Sequence, residues 1–197
     1  MCEKILFKKK EFEVVENCNF SYENSCFKTI VVTRKGKKFF LDIFKQGFED
    51  ELWRFKKIKR IMVPAPKLLK VDKEKQMTLR TYHEGVFADK LLAEQKFKDE
   101  DFKSLFYTYR IMRANKLNLS YAPHDYILTD KGLIYLNSTV RDKSEEFDFE
   151  KEPIRLWFPT VAGRAYLKSR GFDISKIQRE EENYWNKKIV LISIQYW

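Results

Sequence analysis

A short polar loop that precedes a β-hairpin carries the residues with the clearest chemical potential. His124 and Asp125 lie just before two apolar, β-prone runs, Tyr126–Leu128 and Leu133–Leu136, which flank a turn that contains glycine. The carboxylate oxygens of Asp125 are of the type that binds Mg²⁺. The imidazole of His124 has an unperturbed pKa near neutrality, which suits proton transfer. The hairpin would hold both side chains in a defined place.

The residues before this loop predict a strand-rich segment with one helix. Residues 3–44 alternate as an antiparallel meander, and Phe48–Met62 has apolar residues at spacings of three and four, with acids in its first turn and bases in its last. Lys67–Val71 and Met77–Tyr82 predict a further strand pair. His83-Glu84-Gly85 then breaks the pattern, and we expect it to link this segment to a helical one.

The second half of the chain predicts mainly helices. Helical spacing is found in Phe87–Glu94 and Asp101–Lys116, and Thr160–Arg170 has proline beside its start and glycine after its end. We expect Ile174–Asn186 to form a charged amphipathic helix. Ile189–Trp197 is rich in β-branched residues and predicts a terminal strand, either packed on the core or exposed as an edge for partner docking.

Composition limits the class of protein. A chain of 197 residues suits one domain or one domain of two small lobes, and 16% aromatic residues can fill its core. The net charge of +10 is typical of proteins with partners such as nucleic acid, an anionic surface or a phosphorylated ligand, and the simpler explanation is a solvated lysine-rich surface. The basic clusters are Lys8–Lys10 and, on the predicted helix, Lys56, Lys57, Lys59 and Arg60.

The cellular setting follows from the cysteines and the hydropathy pattern. Cys2, Cys18 and Cys26 form no CxxC pair, which fits free thiols in a reducing compartment. No apolar run approaches the roughly 18 residues of a membrane span, and Met1–Lys10 lacks a signal-peptide core. We therefore expect a cytoplasmic protein that does not enter a membrane.

The order of elements and several short motifs resemble a known group of enzymes. Over Phe12–Glu150 the chain resembles the small atypical kinases, the RIO-type and lipopolysaccharide-core-kinase-like group. The matching motifs are ELWRFKKI at 51–58, VPAPKL at 63–68, LRTYHEG at 79–85, APHDYIL at 122–128 and LIYL at 133–136. The resemblance implies a two-lobed α+β protein-kinase-like fold. Residues 1–82 would form an N-terminal lobe with an antiparallel sheet and one helix, and residues 83–197 a mainly helical C-terminal lobe.

The resemblance also implies a site for ATP and Mg²⁺. In such kinases a strand lysine pairs with a helix glutamate and holds the nucleotide phosphates. Glu51 matches the helix glutamate, whereas Asp42 stands where the lysine is expected and Lys45 is the nearest substitute. Asp125 would bind the metal, and His124 would supply the catalytic base.

Four departures from the family pattern predict reduced or absent catalysis. Besides the strand lysine, Ser120 replaces the loop aspartate, Asn137–Thr139 contains no acid for the second metal position, and Asn17–Lys28 contains no glycine to cover phosphates. The sequence therefore predicts a pseudokinase-type binding or scaffold module with a protein partner. The alternatives are an active atypical ATP-dependent kinase, acting on serine or threonine or on a small molecule, and a nucleic-acid-binding protein that uses its basic surface.

Overall fold

The chain folds as two compact units in the computed structural model, which describes residues 3–15, 21–144, 148–177 and 180–197. The first unit comprises Met1–Arg60 and Ala65–Glu84, and the second comprises Ile61–Pro64 and Gly85–Trp197. Strands dominate the first unit, and helices alternate with short strands in the second. The α+β class predicted from the sequence is confirmed.

One antiparallel sheet and one helix make up the first unit. The strands follow the order β1-β2-β4-β5-β7-β6, with β3 pairing beside β4. Their bounds, with those of the helix, are β1 Lys4–Phe7, β2 Lys10–Val14, β3 Tyr22–Glu23, β4 Phe27–Arg34, β5 Lys37–Phe44, α1 Phe48–Arg60, β6 Leu68–Asp72 and β7 Met77–Thr81. The predicted meander, helix and following strand pair are confirmed, with shifts of one or two residues at their ends.

The two faces of this sheet bury different sets of side chains because successive residues of a strand point to opposite sides. On one face the rings of Phe27 and Phe44 lie 5.6 and 6.3 Å from the ring of Phe55 on α1. On the other face a separate apolar cluster forms, whose fully buried members are Phe7, Phe12, Val32, Leu41 and Leu79. The sheet therefore has an apolar interior on each side.

The sheet is curled, so that its first strand approaches its last hairpin. The backbone N–H of Lys8, in the turn after β1, donates to the carboxylate of Asp72 at the end of β6 (2.8 Å). The ammonium group of Lys75, in the turn after β6, donates to the carbonyl of Leu6 (2.9 Å). These two contacts join opposite edges of the sheet and give it the form of a partly closed barrel.

In its described residues the second unit contains four α-helices and two small sheets. One sheet has the order β11-β10-β8 and the other pairs β12 with β9. The bounds are β8 Val86–Phe87, α2 Ala88–Ala93, α3 Phe102–Ala114, β9 Leu117–Leu119, β10 Tyr126–Thr129, β11 Gly132–Tyr135, β12 Val140–Asp142, α4 Val161–Ser169 and α5 Glu182–Tyr196. The hairpin of β10 and β11 confirms the turn predicted between the two apolar runs.

The core of this unit is aromatic and gathers around α3. The rings of Phe102 and Phe158 stack at 4.8 Å, and Phe106 meets Phe149 edge-on at 5.4 Å. The indole N–H of buried Trp157 donates to the carbonyl of Tyr121 (2.8 Å), so its one polar group is satisfied. Phenylalanine side chains thus supply much of the core in the part of the chain that the structure describes, as the composition predicted.

The predicted terminal strand is wrong, because Ile189–Trp197 continues the helix α5. The predicted helix Ile174–Asn186 is wrong over its first half: α5 begins only at Glu182, and residues 178–179 lie outside the described residues. Tertiary contacts favour the helical end, since the guanidinium of Arg110 donates to the carbonyls of Tyr196 and Trp197. Among the described residues no helix has the length and apolarity needed to cross a bilayer.

Candidate functional site

Asp125 lies at the end of a single 3₁₀ turn, Pro123–Asp125, that leads into β10. Its side chain is 1% exposed. One carboxylate oxygen accepts from the hydroxyl of Ser120, and the other accepts from the amide nitrogen of Asn137 (3.0 Å). Its carbonyl accepts from the N–H of Leu136 (2.8 Å), which fixes the turn to the hairpin. The buried carboxylate is therefore held by donors from both sides of the hairpin, as burial of such a group requires.

The amide of Asn137 is oriented by the backbone that follows it. Its oxygen accepts from the N–H groups of Ser138 (2.7 Å) and Thr139 (3.3 Å) and from the Thr139 hydroxyl (3.3 Å). Because the oxygen is used in this turn, the amide nitrogen faces Asp125. Asn137 thus presents a donor, and not a metal-ligating oxygen, to the carboxylate.

His124 is held between Asp125 and a tyrosine from α4. The Tyr166 hydroxyl lies 3.0 Å from the His124 backbone nitrogen and 2.9 Å from its Nδ1. The Nε2 atom of the same ring lies 3.5 Å from the Asp125 carboxylate. Burial, reinforced by the charge of Asp89, raises the pKa of Tyr166, so its hydroxyl keeps its proton at neutral pH. Both ring nitrogens of His124 are directed at protein groups, although the side chain remains 26% exposed.

Lys45 and Glu51, predicted to act together on phosphates, have other partners. The ammonium group of Lys45 pairs with Glu23 of β3 at a half-exposed position. The carboxylate of Glu51 is buried and pairs with Arg54 one turn later on α1. The ion pairs of Lys45 and Glu51 are thus with Glu23 and Arg54, respectively. His124 and Asp125 lie close together, with the imidazole Nε2 3.5 Å from the carboxylate.

Asp42, which stands where the resemblance expects a lysine, is fully buried and forms the most complete polar cluster of the first unit. Its two oxygens accept from Nε and Nη2 of the Arg80 guanidinium, at 2.7 and 2.6 Å. The hydroxyls of Thr29 and Thr78 donate to the same oxygens at 2.7 and 2.6 Å. The guanidinium carbon lies 4.6 Å from the centroid of the Phe55 ring. The pair therefore occupies the space between the sheet and α1.

Sequence reasoning did not find Arg80, Tyr166 or the donor role of Asn137. Arg80 lies 38 positions from Asp42, and Tyr166 lies 42 positions from His124. No local pattern joins residues so distant in sequence. Because side chains alternate between the two faces of a strand, Arg80 lies on the same face of β7 as Thr78. This alternation was the one sequence signal for the position of Arg80.

The glycine-free segment between the first strands is only partly described. Residues 16–20, which include Asn17 and Asn19 of that segment, lie outside the described residues. In the described part, the side-chain oxygen of Asn24 accepts from the N–H groups of Cys26 and Phe27, each at 2.8 Å. Asn24 thus forms the tight turn before β4 through its side chain and not through a glycine backbone.

Neither the comparison with known proteins nor the arrangement of metal-binding side chains indicates an activity for this site. The sequence matches no protein-family profile, and no curated protein matches it at a significant level. In the ranges 3–15, 21–144, 148–177 and 180–197, no three His, Cys, Asp or Glu side chains lie close enough to hold a metal ion together. The function must therefore be argued from the geometry of the two polar clusters around Asp42 and Asp125.

Proposed function

We propose that this protein is a kinase-like binding module whose catalytic motifs are degenerate. The observation that carries the proposal is the buried pair of Asp42 and Arg80. In a kinase the strand residue at this place is a lysine, which pairs with a helix glutamate and holds phosphates. Here the strand residue is an acid, its charge is neutralised by Arg80, and the helix acid Glu51 pairs with Arg54. The charged groups at these positions are thus paired within the protein and do not hold a nucleotide.

The cluster around Asp125 supports the same proposal. Mg²⁺ in phosphoryl-transfer sites is bound by one or two carboxylates together with the substrate phosphates. Both oxygens of Asp125 already accept hydrogen bonds from Ser120 and Asn137, and the Asn137 oxygen is turned toward the backbone. Serine in the loop cannot accept a substrate proton as a carboxylate does. The residues present therefore do not fit a magnesium–nucleotide centre.

Nucleotide turnover and nucleotide binding test this proposal separately. We expect no phosphate release or transfer from ATP with Mg²⁺ or Mn²⁺ above the buffer rate. We also expect no rise in melting temperature, whereas a ligand at 100 times its Kd would contribute about 2.7 kcal/mol and raise the midpoint by roughly 5–10 °C. The matched variants are Asp125→Asn, which keeps the shape of the side chain, and Lys45→Gln at the exposed pair.

Metal-dependent turnover that disappears in Asp125→Asn but persists in Lys45→Gln would overturn the proposal in favour of an active atypical kinase. Turnover that is equal in the wild type and in Asp125→Asn would come from a contaminating enzyme. In that case the activity does not belong to this site, and the proposal stands.

Nucleic-acid binding is a second candidate, favoured by one surface of α1. The indole of Trp53 is 56% exposed, and the ammonium group of Lys57 lies 4.9 Å from its ring centroid. Exposed aromatic rings beside cations are the features on which single-stranded bases stack. Binding of a labelled oligonucleotide that falls steeply with salt and is lost in Trp53→Ala would support this function. Undetectable or salt-independent binding would reject it.

The predicted protein partner stays a prediction, and α5 offers the surface on which to examine it. Val190, Leu191 and Ile194 are each more than half exposed on this helix. Contiguous exposed apolar side chains are typical of interaction surfaces.

A further inference from the structure

The curled sheet of the first unit forms an open cavity of about 600 Å³ that the proposed function does not use. Its volume falls within the range of small-ligand sites, which occur in the mouths of β-barrels. It lies on the side of the sheet that carries Leu41 and Leu79, whereas their neighbours Asp42 and Arg80 point to the side that carries α1. The cavity is therefore separate from the place where a kinase nucleotide would bind.

The floor of this cavity is apolar and largely aromatic. Phe7, Phe12 and Leu79 are less than 5% exposed, and Phe39 is partly buried against them. The rings of Phe12 and Phe39 meet edge-on at 6.0 Å. Because these rings form the floor of a concavity, they suit an inserted apolar chain. A nucleobase would instead stack on an exposed ring.

The rim of the cavity is cationic. Its charged residues come from the β1–β2 turn, the β4–β5 turn and the edge strand β6, and they are Lys8, Lys10, Arg34, Lys35, Lys37 and Lys70. No acidic side chain lines the cavity among the residues that the structure describes.

The strand alternation explains this one-sided charge. On β2 the residues Lys10 and Phe12 face the cavity, and Glu11 and Glu13 face the other way. Glu11 accordingly pairs with Lys4 outside the cavity.

Several rim ammonium groups also lack a counterion in the described chain. Lys10, Lys37 and Lys70 form no ion pair there. An anion bound at the rim would supply the missing charge.

The β1–β2 turn holds its lysines in an unusual backbone conformation. Lys8 and Lys9 have φ values of 47° and 61°, in the left-handed region that glycine and asparagine prefer. The carboxylate of Asp72 accepts from the N–H of Lys8 (2.8 Å) and from the N–H of Lys75 (3.2 Å), so it fixes this turn through the backbone. The position of Lys8 at the rim is thus determined by the fold.

We propose that this cavity binds a small anionic amphiphile, a single apolar chain that ends in a phosphate or a carboxylate. The chain would occupy the aromatic floor, and the anion would lie among the rim lysines. This binding site stands or falls independently of the proposed function, because it uses the opposite side of the sheet.

The test is calorimetric titration of the full chain with monomeric dodecyl phosphate, below its micelle concentration. We expect one site per chain and about tenfold weaker binding of decyl phosphate, because two fewer methylenes are buried. Inorganic phosphate alone should give no measurable heat. Dodecanoate should also bind, since the rim recognises charge and not a particular head group. Affinity that does not change with chain length, or no binding of either amphiphile, would overturn the proposal.

Two sets of variants locate the site. K10Q/K37Q removes two exposed rim charges and should weaken dodecyl phosphate binding about tenfold. K56Q/K59Q makes the same change in net charge on the exposed surface of α1 and should leave the affinity unchanged. Leu69→Asp, which places a carboxylate at a 45% exposed lining position, should abolish binding without unfolding the protein. Equal losses in both lysine pairs would show non-specific charge attraction and refute the site.

Other anionic partners give distinct results. Binding to vesicles of anionic phospholipid without binding to monomeric dodecyl phosphate would replace the cavity with a membrane-surface contact. Oligonucleotide binding that is lost in K10Q/K37Q but kept in K56Q/K59Q, with no effect of dodecyl phosphate, would assign the rim to nucleic acid and overturn the proposal. Displacement of a fluorescent fatty acid by dodecyl phosphate, blocked in Leu69→Asp, would support it.

Discussion

The buried pair of Asp42 and Arg80 gives the most exact prediction for the first unit. Arg80→Met removes the guanidinium, whose carbon lies 4.6 Å from the Phe55 ring centroid, but keeps most of the apolar stem. It leaves the Asp42 carboxylate, which is 0% exposed, without a counterion. Only the hydroxyls of Thr29 and Thr78 would then donate to it.

The magnitude follows from the cost of an uncompensated buried charge. Breaking a buried pair by removing one partner costs about 3–5 kcal/mol, a large part of the 5–15 kcal/mol that stabilises a typical domain. Asp42→Val should cost a similar amount, because the buried Arg80 guanidinium then loses the carboxylate that accepts from its Nε and Nη2 atoms. In D42V/R80M neither charge remains, and the cost falls to that of the two threonine hydroxyls, about 1–3 kcal/mol each. The two single losses sum to about 6–10 kcal/mol and the double variant loses about 2–6 kcal/mol, so at the centres of these ranges the double variant should lose about 4 kcal/mol less than the sum.

Urea unfolding at 25 °C, followed by far-UV circular dichroism, measures all three variants against the wild type. Lys4→Gln, which removes an exposed partner of Glu11, is the control and should leave the midpoint unchanged. Additive losses in the double variant, or a loss below about 1 kcal/mol in Arg80→Met, would refute the structural role argued for the pair.

Three further predictions concern the turns and caps. Asp72→Ala should lower the free energy of unfolding by about 1.5–3 kcal/mol at pH 7, since it removes charge-assisted bonds to backbone N–H groups. The Lys8 N–H, chiefly, lowers the pKa of Asp72. The difference from wild type should therefore be complete above the unfolded pKa of about 3.9 and shrink as pH falls through the lower folded value. Lys9→Gly should stabilise the protein by about 0.5–1 kcal/mol, because glycine adopts its positive φ without strain. Thr160→Ala should cost about 1 kcal/mol in thermal unfolding, because its hydroxyl caps α4 at the Gly163 N–H (3.0 Å).

Conservative variants at the same positions distinguish these predicted effects from a general loss of structure. Asp72→Asn retains an acceptor oxygen but no charge, so it should fall between the wild type and Asp72→Ala at pH 7 and show little acid dependence. Thr160→Ser keeps the cap and should match the wild type. A stabilising effect of Thr160→Ala, or a destabilising effect of Lys9→Gly, would contradict the hydrogen bond or the backbone strain on which each rests.

Local signals predicted the elements whose formation depends on nearby residues. The helix over Phe48–Met62 is confirmed as Phe48–Arg60, since its apolar spacing, acidic start and basic end all act within the helix. The helix predicted at Thr160–Arg170 is confirmed because its cap and the glycine after it are both local. The central hairpin is confirmed for the same reason, as a glycine turn joins adjacent strands.

Sequence patterns failed to predict the structure where tertiary packing outweighs the intrinsic preference of the residues for a strand or a helix. The β-branched residues of Ile189–Trp197 favour a strand, yet the segment is helical. Its end is held on α3, where the ring of Trp197 lies 5.5 Å from that of Tyr109 and its carbonyl accepts from Arg110. Likewise β9 and β12 pair although 20 residues lie between Leu119 and Val140 in the sequence. Propensity acts over a few residues and cannot report such contacts.

The sequence alone determined the α+β class, most element positions and the chemical types of the candidate site residues. Only the tertiary structure decided which charges neutralise one another. It joined Asp42 to Arg80, gave Lys45 to Glu23, and closed the sheet around a cavity with a basic rim. The reason is physical: an ion pair or a cavity depends on distances between side chains from different strands. Those distances are set by strand order, register and curl, and not by the identity of neighbours along the chain.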